Sequence, residues 1–327
     1  KWKKFSQLMQ DRGVEATIIG TFNKSGKCVV TYKDKTLLDI DLAFLHDGLP
    51  EKKLVSSEVA LLQNKPPAQK TRNLTPIVGE ILKRLNITSY EFISNQYDHE
   101  VQANSVIKPL QGRGRVNGDA AVIRPIQNSV KGVVLSSVLN PTYSELDSYK
   151  MAGACIDGAI RAAVAAGATI DTLALLDNFC WCSSNDPIRL GQLKQAVKAC
   201  YDYSVLYGTP LISGKDSMFN DFKGFDAKGN PVFISIPPTL LVSSIGVIKD
   251  VRKAHSIDFK FDGDLIYLLG ETYDELGGSE YIRFLGEQDK EEYTGTVPEV
   301  RGEKNKKMYQ TFAKLTDFGL LASAISV

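Results

Sequence analysis

Between Asp119 and Ser217 the chain alternates short apolar runs rich in β-branched residues with two long helical stretches, and this alternation restricts the possible folds more than any other feature. DAAVIRPI and KGVVLSSVL have the composition of strands, TLALLDNF and TPLIS follow as two more, and each of the last two is preceded by a helical pattern. The resulting order, ββαβαβ, belongs to an α+β fold with helices packed on one face of a sheet. Ser144, with Asp147 three residues on, resembles a capping box ahead of an Ala-rich helix expected to end at Gly167. The second helix is punctuated more clearly. Asp186 is placed to cap it, Pro187 stands at its first position, and Gly208 sits where a left-handed cap is wanted.

Outside that block the pattern weakens. Residues 1–12 read as a helix, and EATIIGTF and CVVTYKD read as strands around the turn NKSGK. From Glu51 the chain is polar, Pro-containing and poorly periodic, as a linker would be. FISIPPTLLVSSIGVI and DLIYLLGETYDELGGSEY read as the start of a second α/β unit. At 327 residues the chain exceeds a typical domain, so more than one compact unit is expected. Lys and Arg number 39 against 38 Asp and Glu, and no basic tract stands out, which disfavours binding to nucleic acid or an acidic membrane through bulk charge. Five scattered cysteines form no disulfide framework, so a reducing, cytoplasmic setting is the expectation. The first residue is not Met and the last run, GLLASAISV, is apolar; both ends are expected to be cuts through a longer polypeptide.

Few segments could carry chemistry. SGKDS, Ser213–Ser217, expected as a loop after the strand TPLIS, combines a flexible Gly214, a point charge on Lys215, a hard-cation ligand in Asp216 and the Ser217 hydroxyl. It lacks the spacing of a Walker A loop, and a charged turn is the plain alternative. LLDNFCW puts Asp177 and Asn178 at the carboxyl end of a buried strand, where ligands often bind. Asp177 and Gly214 end two strands that flank one helix, and are therefore expected at the same edge of the sheet. GRGRVNGDAAV offers Arg113, Arg115 and Asp119 to a phosphate or metal, and ELGGSEY offers backbone donors to an anion; either could be an ordinary turn. His99, flanked by Asp98 and Glu100, is a candidate general base. Cys180 and Cys182 in CWC lack the spacing and partners of a zinc site.

Taken together, YDHEVQANSVIKPL, GDAAVIRP, LLDNFCW, GTPLISGKDSM, IPPTLLVSSIGVI and LGETYDELGGSEY resemble the synthetase subunit of the phosphoribosylformylglycinamidine synthases, of the aminoimidazole ribonucleotide synthetase superfamily. The likeness covers nearly the whole chain. It implies a synthetase-like N-terminal lobe with the ββαβαβ sheet and a partial C-terminal α/β lobe. The implied division is residues 1–50 as the tail of a preceding unit, 51–89 as a linker, 90–235 as the N-terminal lobe and 236–327 as part of the C-terminal lobe.

The resemblance also implies a function: ATP-dependent conversion of formylglycinamide ribonucleotide to formylglycinamidine ribonucleotide in purine biosynthesis, with magnesium. Ammonia would come from a glutaminase subunit or domain, and the N-terminal lobe could form a homodimer. Carried over residue by residue, Asp177, Gly214, Lys108 and Gly118 correspond to nucleotide contacts, Ser217 to a substrate contact, Lys215 to a phosphate loop, and Asp119 and Asp216 to metal ligands. The Ala-rich helix departs from the family pattern. Relatives carry a Glu and an Asn facing magnesium where this chain has Gly158 and Ala162, and VLNPT lacks the catalytic histidines of the first unit. A non-catalytic auxiliary half is therefore the alternative, an isolated chain is expected to have no turnover, and a stand-alone kinase of the same superfamily is a third reading.

Overall fold

The computed structural model describes residues 1–58, 73–96 and 102–327. They divide into two compact units, Lys1–Lys53 and Leu54–Val327. The first holds helix α1 (Trp2–Gln10), strands β1 (Lys27–Tyr32) and β2 (Lys35–Asp41), and helix α2 (Leu42–Asp47). Its hairpin turns at Lys33 and Asp34, both with positive φ, rather than at NKSGK, and EATIIGTF forms no strand. A two-residue turn with positive φ at both positions matches the twist of paired strands, so CVVTY pairs with the residues after it.

The second unit continues with helices α3 (Thr75–Ile81) and α4 (Glu91–Ser94), short strands β3 (Ser105–Ile107), β4 (Leu110–Gln111) and β5 (Val116–Asn117), then β6 (Ala120–Ile123) and β7 (Gly132–Leu139). Helices α5 (Pro141–Ser144) and α6 (Ser148–Ala165), strand β8 (Leu173–Cys180), helix α7 (Pro187–Tyr207) and strand β9 (Leu211–Ser217) complete the expected alternation. A hairpin of β10 (Phe222–Phe225) and β11 (Pro231–Ile234), strand β12 (Thr239–Ile248), and helices α8 (Glu280–Asp289) and α9 (Gly302–Asp317) follow.

The main sheet has six strands in the order β3-β6-β7-β12-β8-β9, with β8 and β9 parallel and the other pairs antiparallel. The ββαβαβ order thus holds. The position of β12 differs from expectation: the strand read as opening the second lobe lies inside this sheet, bonded to β7 on one side and β8 on the other. Its alternate residues Leu240, Val242, Ser244 and Ile248 are buried with the helices, so it needs strand partners on both flanks. DLIYLLG forms no strand, since no partner pairs with it among the described residues, and Leu265–Leu269 are exposed.

Helices α6 and α7 cover one face of the sheet. The small residues of α6 permit the close approach. A Cβ on Gly153 would lie 2.5 Å from the Tyr203 ring of α7, and one on Gly158 would lie 3.1 Å from Val138 of β7. Asp147, not Ser144, caps α6, accepting from the Lys150 amide at 2.9 Å. Ser144 instead ends α5, its hydroxyl donating to Pro141 O. Asp186, Pro187 and Gly208 (φ 71°) bound α7 as the sequence indicates. Trp181, fully buried, donates its indole N–H to Arg189 O at 3.0 Å and ties the end of β8 to α7. Of the segment read as a linker, residues 59–72 lie outside the described residues, whereas α3 is helical and the adjacent Arg84 pairs with Glu280 and Glu287 of α8.

Candidate functional site

Strands β8 and β9 run parallel with Asp177 opposite Gly214, Asn178 opposite Lys215, Phe179 opposite Asp216 and Cys180 opposite Ser217. SGKDS is therefore not a loop but the second half of an edge strand. Because side chains alternate between faces, the expected site residues separate into two sets. Asp177, Gly214 and Asp216 share the face covered by α6 and α7; Lys215 and Ser217 share the other face with Asn178 and Cys180. On that second face Lys215 Nζ donates to the Ser217 hydroxyl.

Asp177 is the best-defined member of the first set. Partial burial, reinforced by the nearby charge of Asp216, raises its carboxyl above the ordinary Asp value. Its charge also reaches the buried Cys200 thiol of α7, which is pushed up to about 12, chiefly by burial. Gly214 leaves open the space beside this carboxylate. A side chain there would begin 2.7 Å from Asp177 Oδ1. Two carboxylates flanking a bare backbone suit a hard cation that takes its remaining oxygens from a phosphate and water, the usual coordination of magnesium. At this edge the chain offers two carboxylates, with no third His, Cys, Asp or Glu grouped with them among the described residues.

The second group of expected residues lies across the sheet. Asp119 precedes β6, and β7 and β12 lie between β6 and β8, so Asp119 and Asp177 belong to separate places. Here the fit to a metal fails. Asp119 Oδ2 accepts the Ser326 amide at 2.7 Å, and no group of three or more His, Cys, Asp or Glu side chains is placed to hold a metal among the described residues. Gly118 packs on the buried Gln111, whose Oε1 accepts from Ile257 N, and its own N–H donates to Pro109 O. Lys108 is exposed beyond β3. Arg115 pairs with Glu91 and Asn95. In ELGGSEY, Gly277 N and Ser279 N already donate within the chain, and the Ser279 hydroxyl caps α8, so the segment is a helix entry. Gly158 and Ala162 are buried against the sheet. His99 lies outside the described residues. Asp157, a buried carboxylate in the small-residue run of α6, was not singled out in the sequence; Arg161 one turn later was its visible signal.

The stretch of chain that contains this strand-end aspartate and its glycine partner is matched by a family model. Residues 117–236 match that of the AIR synthase related protein, N-terminal domain. This stretch is similar to that domain. It includes Asp177, Gly214, Lys215, Asp216, Ser217, Gly118 and Asp119, but not Lys108. Beyond it, the chain is similar to phosphoribosylformylglycinamidine synthase subunit PurL of Methanocaldococcus jannaschii, 30% identical over 326 residues that cover 98% of this chain and 42% of the relative. PurL of Thermoplasma volcanium is 28% identical over 292 residues, covering 86% and 36%. Among solved structures, Thermotoga maritima PurL complexed with ATP superposes with a TM-score of 0.51 at 17% identity over 90% of this chain and 39% of that one. The same protein complexed with FGAR gives 0.50 over 90% and 38%. These structures show that the chain shares the fold around the matched stretch. The chain spans less than half the length of these relatives.

Proposed function

We propose that this chain forms part of a phosphoribosylformylglycinamidine synthase, the ATP-dependent carbon–nitrogen ligase of purine biosynthesis, and that the β8–β9 edge is its nucleotide-phosphate site. The observation that carries this reading is the pairing of Asp177 with Gly214, whose missing side chain makes room for the Asp177 carboxylate at the sheet edge. Similarity to PurL relatives along most of the chain supports it. At this edge Asp177 and Asp216 would hold magnesium, which when bound neutralises phosphoryl charge. Gly214 lets phosphate approach the backbone. Lys215 and Ser217, on the opposite face, would meet the acceptor side of the reaction.

The ligation itself balances simply. The amide oxygen of formylglycinamide ribonucleotide attacks the γ-phosphorus and ADP leaves; ammonia then adds to the activated carbon and phosphate departs with that oxygen. Glutamine-derived ammonia would be delivered by a separate glutaminase, and the open sheet face of the AIR synthase related domain would pair with a second such domain. No helix among the described residues is long and apolar enough to cross a membrane, and a cytoplasmic location is part of the proposal. Since the chain spans less than half of its relatives, turnover by the chain alone is not expected.

A second reading, a non-catalytic half that supports an active unit, is favoured by Gly158 and Ala162, whose buried positions leave no room for cation ligands on α6. Calorimetric titration with ADP and magnesium separates the two. Measurable heat that Asp177→Asn weakens about tenfold or more supports the nucleotide site. The absence of heat at millimolar ADP sinks it and leaves the supporting role.

A further inference from the structure

We infer that Asp157 is the root of a polar clasp that straps the segment after α9 to the start of β6 and keeps Asp119 engaged by protein rather than by a cation. This goes beyond the proposed nucleotide site and does not depend on it.

The clasp begins in α6. Asp157 is 2% exposed, and its carboxylate accepts four donors from three helices: the Tyr207 hydroxyl of α7, the Tyr309 hydroxyl at 2.8 Å and Asn305 Nδ2 at 3.0 Å from α9, and Arg161 Nη1 at 2.6 Å from α6 itself. Three of the four converge on Oδ1 and Arg161 takes Oδ2, so both oxygens are engaged. From there the relay turns outward. Arg161 Nε donates to the Ser326 hydroxyl at 2.8 Å, and Ser326 N donates to Asp119 Oδ2 at 2.7 Å. Ala324 N adds a bond to Ser256 O. Four residues thus connect the helical layer to the residue preceding β6.

What holds the strap is polar. Leu320, Ile325 and Val327 are 67%, 56% and 85% exposed, so apolar burial contributes little to the position of this segment, which has no helix or strand of its own. A segment held by a few hydrogen bonds, with Leu321 and Ala324 half-buried and its other large apolar side chains mostly in water, sits at the low-stability end of a fold and opens before the core does. When it is closed, the Asp119 carboxylate is committed to an amide donor, and no other carboxylate, His or Cys is grouped with it to complete a metal site among the described residues.

The test uses the full chain, with amide hydrogen exchange and manganese titration followed by water proton relaxation on the same samples. Asp119→Ala and Ser326→Pro each remove the Ser326 amide contact at the edge of the fold, where global unfolding is not at stake. Both are expected to accelerate exchange at residues 320–326 about tenfold or more, with β12 and α6 unchanged. Asp157→Asn is expected to extend the loss of protection into α9. Manganese affinity is expected to stay within about twofold of the parent in Asp119→Ala. Unchanged exchange at 320–326 in both edge variants overturns the clasp, as does a manganese affinity that falls about tenfold or more in Asp119→Ala.

Discussion

Asp177 Oδ1 lies 2.7 Å from the point where a Cβ on Gly214 would begin, and Oδ2 lies 3.0 Å from it. The two residues are register partners on adjacent parallel strands, so backbone pairing places the Asp177 side chain beside Gly214. A carboxylate that meets only a bare Cα across the strand keeps its oxygens available. Gly214→Ala would push the methyl against those oxygens and turn the carboxylate away. We expect nucleotide affinity to fall about tenfold or more while the melting temperature moves only slightly, because β9 is an exposed edge strand and the Asp177 tip can swing. Equal affinity for Gly214→Ala and parent in calorimetry would remove this edge from consideration.

Asp177 also gives a pH prediction. Its folded pKa is raised above the ordinary Asp value, first by burial. The folded state therefore holds this proton more tightly than the unfolded chain, and the contribution of the group to stability falls as pH rises through that range. Asp177→Asn removes the penalty. Its melting temperature is expected above that of the parent at pH 7 and equal to it near pH 3, where both forms are uncharged. A variant that melts below the parent at pH 7 would show that the carboxylate stabilises the fold.

His255 shifts the other way. Burial lowers its pKa below the ordinary His value, against a smaller opposing effect from Ala165 O, which lies 3.2 Å from Nδ1. The unfolded chain takes up a proton near pH 6.5 while the folded ring stays neutral, so this contribution is present above that pH and is lost as pH falls through the folded value. His255→Phe should flatten the loss of stability as pH falls below about 6.5. Urea midpoints across that range provide the measurement, and identical slopes for variant and parent would contradict it.

Restoring an acidic residue on α6 should not restore a metal site. A Cβ on Gly158 would lie 3.1 Å from Val138, closer than an ordinary contact, and its surroundings are buried. Gly158→Glu would place a carboxylate between helix and sheet without partners, at a cost of at least ~3 kcal/mol. Chemical denaturation should show this loss with no gain in manganese affinity. A stable variant that binds manganese would show that the helix can lift away from β7.

Local chemistry made several elements legible in the chain itself. The Asp186–Pro187 start and Gly208 stop of α7 follow from capping and from the φ that only glycine adopts freely, and both appear where the residues place them. The same holds for the ββαβαβ order and for the family likeness, which the match over residues 117–236 bears out. The neighbourhood of Asp177 and Gly214 was also readable, since parallel strands flanking one helix align their carboxyl ends. Where the reading depended on distant partners it went astray. SGKDS has the composition of a turn, yet it is held as a strand because β8 offers a free edge beside it. DLIYLLG has the composition of a strand and forms none, because no edge is offered to it among the described residues. Strand β12 carries nothing in its own residues to say that β7 and β8 will accept it between them. In the same way only the fold shows that the Ser326 amide donates to Asp119. Helix caps, turns and periodicity depend on neighbours a few residues away and so are written in the sequence. Strand pairing, the face a side chain occupies and the partner a carboxylate finds depend on residues tens to hundreds of positions apart, and only the folded chain decides them.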